Sequence, residues 1–247
     1  MASTVIPWNE NEAVPAGGLC ATGKNHAMKT FLCIGAGAGM GFSTAERFAA
    51  EGFQVVLAAR NAAKTWELAG RLRSKGHKAE AETVDASDPA SVARLVADVE
   101  KGHGPIDVLH YNAGALRKAT LAEQPRDTFV DDLAVNIGGA LVAAQAVASR
   151  MEERKSGAIL LTGGGFALAP SADFLSLSIG KAGIRAMALG LFQPLRAKGI
   201  HVATVTVAAV VAPDSKEAEA VAENFWRLYS QPKDAWTAEV QYSPASA

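Results

Sequence analysis

The fold is decided by the stretch TFLCIGAGAGMG, residues 30–41, in which a short apolar run leads directly into four glycines. The run TFLCI has the length and the residue types of a buried strand. Gly35, Gly37, Gly39 and Gly41 then form a turn that opens a helical pattern. Bare backbone can approach a diphosphate closely, and the first amides of a helix direct positive charge toward it. The stretch therefore predicts a strand, a dinucleotide-binding loop and a helix.

Outward from this stretch, short β-rich runs alternate with longer helical patterns as far as about Val207. Such alternation is typical of crossover units and of a parallel sheet covered by helices on both faces. The strand candidates are nearly continuous apolar runs, so we expect both of their faces to be buried. They read TFLCI, QVVLAA, KAEAETV, IDVLHY, AILLT and HVATVTV. The sequence therefore predicts a Rossmann-type, doubly wound α/β fold, a single three-layer α/β/α domain over residues 28–247.

The helical connectors carry recognisable end signals. DPASVARLVADVEKG begins with Asp88 as N-cap, has Pro89 at the first helical position and ends at a glycine. STAERFAAEG also closes on a glycine. Two long Ala-, Leu- and Val-rich helices are predicted, at about 127–154 and 175–197. A further helix is predicted within APDSKEAEAVAENFWRLYS, followed by a short strand in TAEVQY.

The two ends of the chain have a different composition. Residues 1–27 carry carboxylates, prolines and glycines where a signal peptide needs a basic start and an apolar centre. We predict an N-terminal extension here that is flexible, and a frayed end at SPASA. No uninterrupted run of about 18 apolar residues occurs, so the sequence predicts no membrane span.

Composition excludes several classes of function. Of the 247 residues, 49% are hydrophobic and 20% charged, and the formal net charge is −1. Nothing here indicates a nucleic-acid partner or an acidic membrane surface. Two cysteines, Cys20 and Cys33, make no disulfide framework, which favours a reducing, cytoplasmic location. The five histidines lack metal-ligand spacing, so no metal site is predicted.

The end of the second predicted strand indicates which dinucleotide would bind. It reads AARN, without the carboxylate that would accept hydrogen bonds from a ribose 2′-hydroxyl. Arg60 could instead grip a 2′-phosphate. NADP is therefore predicted in preference to NAD; the alternative is a solvated arginine at a strand end.

Together with the glycine loop, four further motifs resemble the short-chain dehydrogenase/reductase family over nearly all of residues 28–247. They are VDASD after the third strand, YNAG after the fourth, VNIGG in the fifth helix and GKAG in the sixth. The resemblance implies that Lys181 binds the nicotinamide ribose and that Asn136 helps to hold a water for proton relay. The coenzyme-binding residues it implies are Gly35, Gly37, Gly39, Met40, Gly41, Arg60, Asp85, Ala86, Asn112, Ala113, Gly114, Lys181 and Val210. It also implies a homodimer or homotetramer built from the fifth and sixth helices.

The resemblance breaks at the groups that would perform the chemistry. The family tyrosine should stand one helical turn before Lys181, where this chain has Leu177. The family serine after the fifth strand is replaced by Gly164. Val207 and Ala208 occupy the place of the proline and glycine that follow the sixth strand. Coenzyme-binding features are thus kept more fully than catalytic ones.

Replacement proton donors are available near the vacant positions. We rank Lys181 first, because burial would lower its pKa, followed by Thr162 and Ser178. The alternative for both hydroxyl residues is a packing role in the helix or the strand. Lys181, Asn136, Thr162 and Ser178 are therefore the predicted catalytic residues. The pocket beside them would be apolar, bordered by Gly163, Gly164, Gly165, Phe166, Phe174 and Leu177.

Two functions remain open from the sequence. The first is an NADP-dependent oxidoreductase with an atypical proton relay, acting on a small carbonyl, enone or imine. The second is a catalytically silent protein that binds the dinucleotide for sensing, for structure or as a partner subunit. Retention of Lys181 and Asn136 favours the first function, and loss of the tyrosine and the serine favours the second.

Overall fold

The computed structural model describes residues 28–244, which form one seven-stranded sheet with helices on both faces. Residues 1–27, where the extension was predicted, and the last three residues of SPASA lie outside the described residues. The strands are β1 (Thr30–Ile34), β2 (Gln54–Ala59), β3 (Ala79–Thr83), β4 (Ile106–Tyr111), β5 (Gly157–Thr162), β6 (Ile200–Val207) and β7 (Glu239–Tyr242).

The helices lie between the strands, as crossover connections require. They are α1 (Met40–Ala50), α2 (Ala62–Ser74), α3 (Pro89–His103), α4 (Thr128–Leu133), α5 (Gly139–Arg154), α6 (Leu175–Arg196) and α7 (Lys216–Ser230). A π-helical turn, Ala134–Gly138, joins α4 to α5, so the predicted helix at 127–154 is continuous.

The strand order is β3-β2-β1-β4-β5-β6-β7, and every neighbouring pair is parallel. Chain progression reverses between β1 and β4, which makes this pair the topological switch point of the sheet. Ligands of such sheets bind outside the carboxyl ends of the strands at this point. The glycine-rich turn after β1 lies there, so the predicted doubly wound fold is confirmed and its loop is placed where a ligand belongs.

Two apolar clusters, one on each face of the sheet, form the core. One contains buried side chains of α3, α5 and α6, such as Val96, Val147 and Ile184. The other contains buried side chains of α1, α2 and α7, such as Phe48 and Phe225. The three-layer α/β/α arrangement is therefore closed on both sides of the central strands.

The structure corrects three details of the sequence prediction. β3 is an edge strand, and its Glu80 and Glu82 are exposed, so the expectation that both faces of every strand are buried was wrong there. Gly41 belongs to the first turn of α1 rather than to the loop. The last helix begins after Ser215, whose hydroxyl accepts a hydrogen bond from the amide of Ala218 and caps it.

Two helical stretches, Thr128–Arg154 and Leu175–Arg196, are long and apolar enough to cross a membrane by length and composition. Charged and polar residues interrupt both stretches, so neither is a continuous apolar run. In this fold both stretches pack in the same layer against the sheet, and a core helix of an α/β domain has the same composition.

Candidate active site at the carboxyl edge of the sheet

The turn after β1 needs glycine at two positions because other backbone lies against it. Gly35 has φ +90°, and a Cβ there would lie 2.2 Å from the amide nitrogen of Ala113. A Cβ on Gly41 would lie 3.0 Å from Nδ2 of Asn112. These two glycines let the start of α1 pack directly on the end of β4.

The other two glycines leave open space beside the helix start. A Cβ on Gly37 would meet no atom of the described residues within 4 Å. Gly39 is the N-cap of α1, and no described side chain caps that end. The main-chain oxygen of Val211, in the loop after β6, lies 3.8 Å from a Cβ placed on Gly39 and forms the facing wall. The amides at this helix start carry no side-chain cap, and such amides are the kind that bind the diphosphate of a dinucleotide.

Arg60 and Asp85 lie at the adenosine end of the predicted site. Arg60 is exposed directly after β2, and its charge acts on Asp85. Hydrogen bonds from the hydroxyl and amide of Ser87 are the main reason that the pKa of Asp85 is lowered. Ala86 is buried, and its main-chain oxygen lies against Gly139, where a Cβ would come within 2.3 Å. The last contact holds the loop after β3 against the start of α5.

Asn112 ties the glycine loop to β5. Its Nδ2 donates to the main-chain oxygen of Gly35 at 2.8 Å, and its Oδ1 accepts from the hydroxyl of Thr162 at 2.9 Å. The two residues that follow also contact predicted site residues, since Ala113 packs on Gly35 and Gly114 faces Asn136. The structure thus brings the YNAG motif and the glycine loop together.

Lys181 reaches the end of β5. Its Nζ donates to the main-chain oxygen of Thr162 at 2.7 Å. Carbons of its stem lie 3.1–3.4 Å from a Cβ placed on Gly164, so the missing side chain at that position makes room for the lysine. Desolvation by burial lowers the pKa of Lys181 to about 8. An ammonium group therefore stands at the position from which the resemblance expects contact with the nicotinamide ribose.

Asn136 fixes the segment after β4 against α6. It is buried in the π-helical turn, and its Oδ1 accepts from the amide of Ala115 at 2.7 Å. A Cβ on Gly180 would come within 2.5 Å of the Asn136 Cβ, so a glycine is needed on α6 for this contact. The side chain of Asn136 is therefore occupied in positioning backbone.

The two residues proposed as replacement acids already donate their hydroxyl hydrogens to other groups of the protein. Thr162 gives its hydroxyl hydrogen to Asn112. Ser178 is buried, donates to the main-chain oxygen of Phe174 at 2.9 Å and accepts from the amide of Ser171. Of the predicted donors, Lys181 alone keeps hydrogens that are not already donated. Its ammonium group carries three N–H groups, and the main-chain oxygen of Thr162 accepts from one of them.

The predicted pocket residues are apolar or lack a side chain, and Gly164 among them lies against the stem of Lys181. Leu177, one turn earlier on α6, is buried. The rings of Phe166 and Phe174 are stacked with centroids 5.4 Å apart. A Cβ on Gly165 would lie 3.1 Å from Ala208, which closes the β6 side. Val210, predicted to touch the coenzyme, is 97% exposed at the mouth.

Sequence reasoning missed His110, which it treated as an ordinary structural or solvated histidine. Its Nε2 lies 3.0 Å from the Thr162 hydroxyl, and its ring is fully buried. Strand alternation could have found it, because residues two apart on β4 point to one face and Asn112 follows His110 by two. Among residues 28–244, no group of three or more His, Cys, Asp or Glu side chains is placed to hold a metal ion.

Comparison with known proteins agrees with this geometry. Residues 29–222 match the family described as short chain dehydrogenase. Gluconate 5-dehydrogenase of Gluconobacter oxydans (strain 621H) is 36% identical over 129 residues, which cover 52% of this chain and half the length of that relative.

Solved structures have the same fold. The crystal structure of a short-chain dehydrogenase from Rhodopseudomonas palustris is 30% identical, with a TM-score of 0.80 over 87% of this chain and 98% of that one. A metagenomic short-chain oxidoreductase in complex with NADP is 24% identical, with a TM-score of 0.82 over 89% and 98% of the two chains. The glycine-loop geometry, the switch-point location and these matches lead to one conclusion. The chain belongs to the short-chain dehydrogenase family, whose members are oxidoreductases that use a nicotinamide dinucleotide.

Proposed function

We propose that this protein is an NADP(H)-dependent reductase of a small carbonyl, enone or imine, with Lys181 as its proton donor. The observation that carries the proposal is the placement of the Lys181 ammonium group, 2.7 Å from the main-chain oxygen of Thr162 and beside the side-chain-free Gly164. The same strand end is linked through Asn112 to the glycine loop. One site can therefore hold both ends of a dinucleotide.

The residues that would hold the coenzyme divide by the part of it they meet. The amides of Gly39 and Met40 would bind the diphosphate, and Lys181 the nicotinamide ribose. When bound, NADPH would supply a hydride to the acceptor carbon of the substrate. Arg60 favours the 2′-phosphorylated coenzyme because a guanidinium pairs well with phosphate oxygens. The NADP bound by the metagenomic relative is consistent with this preference.

Lys181 would provide the proton that balances the hydride. Reduction of a carbonyl leaves a negative oxygen, and the N–H bond of the ammonium breaks as the O–H bond of the alcohol forms. The neutral amine then regains its proton from water. A pKa of about 8 suits this role, because the group is mostly protonated at neutral pH yet releases its proton more readily than an ordinary lysine.

The walls of the pocket favour an apolar, activated substrate. Leu177, Phe166 and Phe174 offer no hydrogen bond to a substrate carbonyl, and Gly164 offers no side chain. An enone or imine needs less acid assistance than a simple ketone. We therefore place conjugated carbonyls and imines ahead of unactivated ketones as substrates.

The second candidate function is a catalytically silent dinucleotide-binding protein. Leu177 at the position of the family acid favours it, and so does the donation of both nearby hydroxyls to the protein itself. This candidate shares the coenzyme site with the first and differs only in whether a hydride is transferred.

Nicotinamide absorbance separates the two candidates. NADPH oxidation would be followed with ketones, enones and imines, for the wild-type protein and for Lys181→Met. Turnover of at least one enone or imine that Lys181→Met abolishes supports the reductase. NADPH binding without turnover across the whole panel supports the silent protein.

We also propose that the protein assembles as a homodimer or homotetramer through the layer that contains α5 and α6. Large apolar side chains are exposed on α4, α5 and α6, which supports this assembly; they are Val130, Leu141, Ile179 and Leu189. Light scattering at micromolar concentration should give a mass of two or four chains. A mass of one chain would contradict the proposal.

A further inference from the structure

His110 is the centre of a buried hydrogen-bond chain that the proposed reaction does not use. Its ring lies between Phe225, 4.6 Å away between centroids, and Phe31, 5.9 Å away. Its Nε2 lies 3.0 Å from the hydroxyl of Thr162, and its Nδ1 lies 3.7 Å from the sulfur of Cys33. An imidazole in such apolar surroundings needs a reason, because burial of a polar ring is costly unless it is hydrogen-bonded.

The directions of these hydrogen bonds follow from the far end of the chain. Asn112 donates its Nδ2 to the main-chain oxygen of Gly35, so its Oδ1 must accept from the hydroxyl of Thr162. The single hydroxyl hydrogen of Thr162 is donated to Asn112, so the hydroxyl oxygen accepts from His110. The hydrogen of His110 is consequently on Nε2, and its unprotonated Nδ1 faces the thiol of Cys33, whose sulfur also lies 3.9 Å from the main-chain oxygen of Gly41.

His110 keeps this single arrangement over the ordinary pH range. Desolvation by burial, helped by the charge of Lys181, lowers the pKa of His110 to about 3. The neutral ring therefore does not gain a second proton near pH 7. A hydrogen bond with a fixed direction can orient its partner, whereas a free hydroxyl would rotate.

The chain ends at both halves of the proposed nucleotide site. Through Asn112 it reaches the main-chain oxygen of Gly35, where the glycine loop begins. Through Thr162 it reaches the strand end whose main-chain oxygen accepts from Lys181. His110 is thus connected to two parts of the proposed site. One is the loop that would hold the diphosphate, and the other is the main-chain oxygen of Thr162 that accepts from Lys181.

We propose that His110 is a positioning residue of the nucleotide site, which acts by donating to Thr162 and so fixing Asn112 and the glycine loop. The effect on coenzyme affinity rests on the proposed function. The effect on the loop itself does not, and it can be measured without any ligand.

The test compares His110→Leu, which removes the donor, with His110→Gln, whose Nε2 can replace it. The matched control is His201→Leu. His201 is also buried on a strand, with one hydrogen bond to the main-chain oxygen of Thr237 at 2.8 Å, but it stands at the amino end of β6, away from the site. Both leucine variants lose a buried histidine, so a general loss of stability should affect them alike.

Amide hydrogen exchange of the ligand-free protein is the first readout. The amides of Gly35 and Ala36 donate to Ala58, and that of Phe42 donates to Gly37. We expect these three amides to exchange at least about threefold faster in His110→Leu than in His201→Leu, with the rate restored in His110→Gln. Equal exchange in the two leucine variants, or a His110→Gln variant as fast as His110→Leu, would overturn the inference.

Affinity for NADPH is the second readout. Loss of one buried hydrogen bond should raise the Kd about three- to tenfold in His110→Leu, and leave it unchanged in His201→Leu. In a Thr162→Val background the same His110→Leu change should have no further effect, because its partner is gone. Independent, additive losses would overturn the proposed route through Thr162.

Two outcomes separate this inference from the proposed function. If the wild-type protein binds no NADPH but exchange at the three loop amides responds to His110→Leu as expected, positioning stands and the proposed function fails. If NADPH binds and neither readout responds to His110→Leu, coenzyme binding stands and the positioning role of His110 fails. Should His110→Leu fail to fold, Thr162→Val against Thr162→Ser decides, because only serine keeps the hydroxyl that joins His110 to Asn112.

Discussion

Lys181 holds its ammonium group 2.7 Å from the main-chain oxygen of Thr162, one helical turn after a leucine and against a glycine. Both neighbours are places where the family resemblance implies hydroxyl groups. The lysine therefore brings an ammonium group to this end of β5, with N–H groups beyond the one that Thr162 accepts.

Replacing Lys181 with methionine should weaken NADPH binding and abolish turnover. Methionine keeps much of the stem volume but removes the N–H groups that would contact the nicotinamide ribose, so we expect the Kd for NADPH to rise about tenfold. Calorimetry measures this change. Lys181→Arg is the control, because it keeps the charge and should retain more affinity. Unchanged affinity in Lys181→Met would contradict the placement of the ribose.

The rate of reduction should fall as the pH rises through about 8. The pKa of Lys181 is lowered to about 8, so the proton-carrying form dominates below that pH and is lost above it. We expect the single-turnover rate with saturating NADPH to be level between pH 6 and 7, and to fall about tenfold per pH unit well above the pKa. A rate that stays level or rises to pH 9.5 would show that Lys181 is not the acid.

Installing a phenol at Leu177 should speed the reduction of simple ketones. Leu177→Tyr restores a hydroxyl one turn before Lys181, and a well-placed acid contributes roughly 10²–10⁴ in rate. We expect a gain of about tenfold or more, measured by NADPH oxidation. Leu177→Phe has the same ring without the hydroxyl and should show no gain. Equal rates for the two variants would mean that position 177 does not face the substrate.

Removing the guanidinium of Arg60 should weaken the binding of NADPH and leave the binding of NADH nearly unchanged. Arg60→Ala loses a group suited to a 2′-phosphate, so we expect the Kd for NADPH to rise about tenfold while that for NADH changes less than about twofold. Arg60→Lys keeps the positive charge, so its Kd for NADPH should lie between those of the wild type and Arg60→Ala. Parallel losses for both coenzymes would mean that Arg60 does not read the phosphate.

Much of the fold could be predicted because the sequence pattern has strong local causes. The apolar run before Gly35 and the caps of α3, Asp88 and Pro89, occur where the structure has them. The burial of β3 was predicted wrongly because its alternating glutamates belong to an edge strand. The sequence of a strand does not show the position that it takes in the sheet. The helix α2 was not singled out, although Asn61 caps it by accepting from the amide of Lys64.

The candidate site was harder to predict because hydrogen-bond partners come from distant parts of the chain. Thr162 and Ser178 were ranked as donors behind Lys181 from their positions in the sequence, and only the folded chain brings Asn112 and Phe174 to them. His110 was missed for the same reason, since its partner is 52 residues away. Motif spacing predicts which segments of the chain contribute to the site, but it cannot tell which polar atoms are already paired.

The central claim is that the glycine loop and Lys181 bind a phosphorylated nicotinamide dinucleotide, and calorimetric titration of NADPH into wild-type protein and Gly39→Ala tests it most directly. In the free protein no described atom lies closer than 3.8 Å to the added methyl, but the methyl would stand beside the amides that would bind the diphosphate. We expect saturable binding by the wild type and at least a tenfold loss in Gly39→Ala. Absence of binding heat for wild-type protein at millimolar NADPH, or equal affinity in Gly39→Ala, would contradict the claim.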